Sequence, residues 1–63
     1  MKVRDVIRAL LAAGWVQVRQ ESSHRVFKKD GAQNNVVING HDSDDLSPGV
    51  LSKVRRETGV LLR

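Results

Sequence analysis

The chain has no cysteine, one proline, one tryptophan, one phenylalanine and no tyrosine among its 63 residues. Without cysteine there are no disulfides and no thiolate zinc sites, so neither of the common staples of small domains is present. Two aromatics, Trp15 and Phe27, do not make the stacking platform of a single-strand nucleic-acid reader. No apolar run is long enough to span a bilayer, and the start, Met1-Lys2-Val3-Arg4-Asp5, puts charges where a signal peptide needs an apolar stretch. The chain is therefore expected in the cytoplasm, away from membranes. What remains is a short chain with a 40% apolar fraction, which argues against disorder. A domain this small buries only about 60% of the surface its unfolded chain exposes, so its stability is expected to be marginal.

Charge is unevenly placed. Residues 1–29 sum to +5, residues 30–52 to −4 and residues 53–63 to +3, giving the overall +4. A cationic surface on a small domain suits a polyanion, commonly nucleic acid; it is also an ordinary solubilising surface.

Val3, Val6, Ile7, Leu10 and Leu11 follow the spacing of one buried helical stripe. Gly14 fits the left-handed position that ends such a helix, with Trp15 placed to fold back on Leu10. Three extended segments follow, Trp15 to Gln20, Ser23 to Lys29 and Asn35 to Asn39, rich in β-branched residues and separated by the turn formers Glu21-Ser22 and Asp30-Gly31. Val26 and Phe27 point to opposite faces, so parity leaves open which face of the second strand is buried. Ser47, Pro48 and the Leu46/Leu51 pair predict a second helix with an N-cap, a first-turn proline and a hydrophobic staple. Val50, Leu51 and Val54 form its predicted buried side, Arg55 and Arg56 suit its negative end, and Gly59 ends it. The tail Val60-Leu61-Leu62 completes the core or meets a partner. The expected fold is α+β, a two-layer α-β-β-β-α domain with a three-stranded antiparallel meander and both helices on one face.

His24 follows two serines at the start of a basic strand, near Arg19, Arg25, Lys28 and Lys29. Ribonuclease chemistry needs a group that takes a proton from a ribose 2′-OH, or gives one to a leaving oxygen, near neutral pH. Histidine, with an unperturbed pKa of about 6.5, suits that exchange, and neighbouring cations can stabilise phosphate charge. An ordinary turn histidine is the alternative. Ser22 and Ser23 can donate to a phosphate oxygen or bond their own turn. His41 is a possible second acid–base group. His41-Asp42-Ser43-Asp44-Asp45 lacks the calcium-loop pattern; it reads as a solvated loop whose acids favour the N-terminal end of the second helix. No metal and no cofactor are expected.

Four pieces of the chain carry a family resemblance: Leu10-Leu11-Ala12-Ala13-Gly14-Trp15; Arg19 followed by Ser23-His24; Val37-Ile38-Asn39-Gly40-His41; and Leu46-Ser47-Pro48-Gly49-Val50-Leu51 through Gly59. In order and spacing they resemble the HicA toxins of HicA–HicB toxin–antitoxin modules, across nearly the whole of residues 1–63 as a single domain. The resemblance implies a fold like a double-stranded RNA-binding domain and a translation-independent, cofactor-free endoribonuclease acting on mRNA. It places the catalytic histidine on His24 and the accompanying serine on Ser23. It also implies a HicB-like antitoxin that covers the active site, the chain being a monomer when free and a hetero-oligomer with that antitoxin. Three positions depart from the family's pattern. Ser22 stands where glycine is usual, Arg25 where a second histidine is often found, and Asn39 where proline is usual. A glycine requirement at Ser22 predicts backbone strain there, and Arg25 is expected to add phosphate-binding charge. The competing readings are a non-catalytic RNA-binding module and an interaction domain using the open sheet face and the apolar tail.

Overall fold

The computed structural model describes residues 1–62. Its elements run α1 (Val3–Ala12), β1 (Val16–Glu21), β2 (His24–Lys28), β3 (Val36–Asn39) and α2 (Pro48–Thr58), the α-β-β-β-α order expected. The sheet is antiparallel with order β1-β2-β3, and both helices pack against β3.

The end of α1 is fixed by local chemistry. Gly14 has φ +97°, and its N–H donates to Leu11 O at 3.1 Å while Trp15 N–H donates to Leu10 O at 3.0 Å. Those two bonds define a Schellman motif, which needs a left-handed residue at this step. Trp15 is therefore the closing residue of the helix and belongs to the core, so β1 begins one residue later than expected. At the other end, Lys2 supplies no side-chain cap. The free N–H groups of Val3 and Arg4 instead donate to the carbonyls of Asp44 and Asp42, at 2.9 and 3.1 Å. The acidic loop thus caps the first helix, whereas the sequence had pointed it at the second. Its side chains are spent locally too: Asp45 lies 3.5 Å from Lys2 Nζ.

The second helix starts as its residues dictate. Ser47 Oγ accepts the Val50 N–H at 3.3 Å, Pro48 fills the first position, and Gly59 ends the helix in the left-handed region. Leu46 is half-buried and Leu51 buried, as a staple requires.

Phe27, Val36 and Ile38 from the sheet meet Val3, Val6, Ile7 and Leu10 of α1 and Leu51 and Val54 of α2, with Trp15 and Leu62 completing the core. This settles the parity of β2: Phe27 points to the helices and Val26 away from them. Three side chains expected inside or left open are exposed: Leu11, Val50 and Leu61. Leu11 lies at the flank of the stripe, and Val50 faces the cleft between α2 and the free edge of β3. In the tail, Leu62 is buried and Val60 half-buried, and Arg55 Nη1 donates to Leu62 O at 3.1 Å. Most of the tail is therefore core.

Every residue of β1 is exposed, because the helices reach only as far as β2. Gln17 and Gln20, opposite Phe27 and Arg25 on the helix side, bond one another at 3.2 Å instead of packing. The register shifts between Gln17 and Arg19, so Val18 is the extra residue of a β-bulge. The bulge changes the parity of β1 and lets Val16 and Arg19 both face away from the helices, opposite Lys28 and Val26.

Candidate active site

The sheet face away from the helices is uncovered, and β2 sends His24, Val26 and Lys28 onto it. Cross-strand partners share a face, so Glu21 and Asn39 flank His24, while Arg19 and Val37 flank Val26. A shallow groove of about 390 Å³ follows, lined by Arg19, Glu21, Ser22, His24, Val26 and Val37. His24 is exposed at its head, and no hydrogen bond among the described residues engages its imidazole.

The turn that presents His24 has two residues, Ser22 and Ser23, between the paired Glu21 and His24. So tight a connection needs positive φ, and Ser22 supplies it with φ +55°, the one non-glycine residue in that region among those described. Its carbonyl accepts Gln20 Nε2 at 3.2 Å. Ser23 lies behind the groove, its carbonyl accepting the Gly40 N–H at 3.1 Å. The structure therefore keeps the tight turn although the residue at its left-handed step is serine.

The cations expected around His24 are divided between two faces. Arg19 lies in the groove, its Nε 3.6 Å from Glu21 Oε1, with both side chains mostly in solvent; such a pair is weak and exchanges readily. Lys28 lies on the same sheet face, in a second hollow of about 360 Å³ lined also by Gly14, Val16, Val18, Lys29 and Asp30. Lys29 is half-buried, and a Cβ placed on Gly14 would lie 3.5 Å from its Cε. This lysine covers the carboxyl end of α1, where the helix has no basic residue of its own and a cation is favoured. Arg25 points to the helix side, where Nη2 lies 2.6 Å from Asp42 Oδ1. His41 is exposed in the loop after β3, its backbone N–H held by Asp44 Oδ2 at 2.9 Å, and it does not line the His24 groove.

Glu21 is the groove residue that sequence reasoning passed over, having been read only as a turn former. The two-residue spacing between the strands was the available signal, since it makes residues 21 and 24 cross-strand partners. Among the described residues, no three histidine or acidic side chains come together as metal ligands would. Asp42, Asp44 and Asp45 bond instead to Arg25, to the His41 backbone and to Lys2.

Fold and face together define a small basic α+β domain whose uncovered sheet presents one histidine beside an arginine, on a tight turn. The chain matches the family described as HicA toxin of bacterial toxin–antitoxin over residues 3–60, and it belongs to that family. It is accordingly the toxin member of a toxin–antitoxin pair, with an antitoxin as its partner. Among curated proteins, no sequence matches the chain. No helix among the described residues is long and apolar enough to cross a membrane.

Proposed function

We propose that residues 1–63 act as one domain, an endoribonuclease that cleaves mRNA in the cytoplasm without a metal or other cofactor. The observation that carries this reading is the shared groove: His24 and Arg19 face one solvent-filled hollow on the uncovered sheet. A phosphate seated on Arg19, with Lys28 on the neighbouring stretch of backbone, brings the adjoining ribose to His24. The imidazole takes a proton from the 2′-OH as that oxygen attacks phosphorus, or gives one to the 5′ oxygen as its bond to phosphorus breaks. Arg19 balances the charge that builds on the non-bridging oxygens. Ser22 lines the same groove and offers a hydroxyl to a phosphate, while Ser23, the second residue of the turn, supports it through its carbonyl bond to Gly40. The deciding comparison is wild type against His24→Ala on RNA in EDTA. Wild type should cleave and the variant should lose at least about 100-fold, the usual worth of one acid–base group. Equal cleavage by both, or cleavage abolished by EDTA, removes His24 from the mechanism.

The same face carries a second reading for the antitoxin. Val16, Val18 and Val37 are 59%, 54% and 49% exposed there, an apolar content that phosphate backbone does not use and a protein partner does. We propose that a HicB-like antitoxin covers this face and so blocks the His24 groove, forming a hetero-oligomer from a toxin that is monomeric when free. Val16→Ser and Val18→Ser, outside the His24 groove, should weaken antitoxin binding while sparing RNA cleavage.

A further inference from the structure

We infer that Arg25 is a positioning residue: paired with Asp42, it latches the His24 turn to the loop of residues 40–45. The activity arm of this inference rests on the ribonuclease reading above; the structural arm does not.

Arg25 follows His24 in β2, so strand alternation sends the two side chains to opposite faces. Its cross-strand partner on β3 is the buried Ile38, which places the guanidinium at the margin of the core. There it is only 18% exposed, and its Nη2 meets Asp42 Oδ1 at 2.6 Å, the length of a charge-assisted bond. Its Nε is buried without a partner. A guanidinium seated in this way is committed: its charge is balanced by one carboxylate and its Nε is closed to solvent.

The loop it holds is anchored on its other side to α1. Asp42 and Asp44 carbonyls accept the Arg4 and Val3 N–H groups, and the Asp44 carboxylate accepts the His41 N–H. Gly40 has φ +112°, which favours glycine, and a Cβ there would press at 3.3 Å on both Val3 Cγ2 and Asp44 Oδ2. Towards β2 the loop has two ties, the Gly40 N–H to Ser23 O bond and the Arg25–Asp42 pair. The second is the one side-chain bond between them among the described residues. Because Ser23 precedes His24, releasing Arg25 leaves the loop tied to the His24 turn by one neutral bond. The lever therefore runs from α1, through the loop, to the backbone that aims His24 into the groove.

The test compares Arg25→Ala, Asp42→Ala, the double variant and Arg25→Lys. Amide hydrogen exchange is read at Gly40, and kcat, KM and salt-dependent RNA binding are read on a synthetic RNA. Loss of a charge-assisted bond should speed Gly40 exchange about 10-fold or more. The two single variants and the double should agree, because all three break one interaction. The lysine variant, which keeps a cation without the planar fork, should fall between them and wild type, and it carries the reading should the alanine variants not fold. With RNA, kcat should fall about as far as exchange rises while KM stays within about twofold, since a residue acting only on the reacting geometry leaves ground-state binding intact. Unchanged Gly40 exchange, or additive effects of the two alanine changes, overturns the latch. So does an Arg25→Ala variant that alone lowers the salt slope of RNA binding by about one, the mark of a phosphate ligand. If wild type fails to cleave RNA, the ribonuclease reading falls, and Gly40 exchange still decides the latch.

Discussion

Replacing Ser22 with glycine should stabilise the protein, and the size of the gain follows from the turn. Ser22 has φ +55°, a conformation that costs an L-residue roughly 1–2 kcal/mol because Cβ crowds its own backbone. Glycine removes that term but adds freedom to the unfolded chain, worth roughly 0.5–1 kcal/mol in the opposite direction. The hydroxyl makes no hydrogen bond among the described residues, and the one bond at this residue uses the carbonyl, which glycine retains. The net gain is about 0.5–1 kcal/mol. A domain of 63 residues has an unfolding entropy of about 130 cal/mol/K, so Tm should rise by about 4–8 °C. Thermal unfolding followed by circular dichroism reads this directly, with Ser22→Ala as the control. Alanine deletes the hydroxyl but keeps the Cβ, and its Tm should stay within about 4 °C of wild type. A Ser22→Gly protein melting at or below the wild-type temperature refutes the reasoning, because it shows that the turn carries no strain to release.

Four further changes probe separate parts of the molecule. Ser47→Ala removes the cap on the Val50 N–H and should cost about 1 kcal/mol in urea unfolding, with an unchanged m-value; no loss means the bond is not made in solution. Arg19→Ala and Lys28→Ala should each weaken RNA binding and reduce the magnitude of its salt slope by about one, as expected for single phosphate contacts. Lys29→Ala, acting on the end of α1, should lower stability more than it alters the slope.

Local rules made much of the fold legible. The Gly14–Trp15 helix end, the Ser47–Pro48 helix start and the Leu46/Leu51 staple all involve residues a few positions apart, and the structure forms each of them. What could not be read depends on contacts distant in sequence. Nothing near Lys2 shows that carbonyls about forty residues later cap α1. Arg25 looks like one more cation beside His24 until the pairing of β2 with β3 assigns it to the helix side, and Asp42 is 17 residues away from it. Phe27 and Val26 were equal claimants to the core until the helices chose a face. At the site, the groove forms around the residues nearest the turn, Ser22, Glu21 and His24, together with Arg19. His41, by contrast, follows the loop that holds it.

The bulge at Val18 bears on how the outer edge of β1 meets another strand. A sheet margin with two half-exposed valines and no helix over it is the kind of surface that recruits a second copy edge to edge, the first step towards aggregation. Val18 adds local twist and breaks the even ladder that such a copy would extend. Arg19 and Glu21 then place charge along the same strand. The residue that interrupts β1 therefore makes its outer edge a poorer template for a second copy, while the strand still pairs with β2.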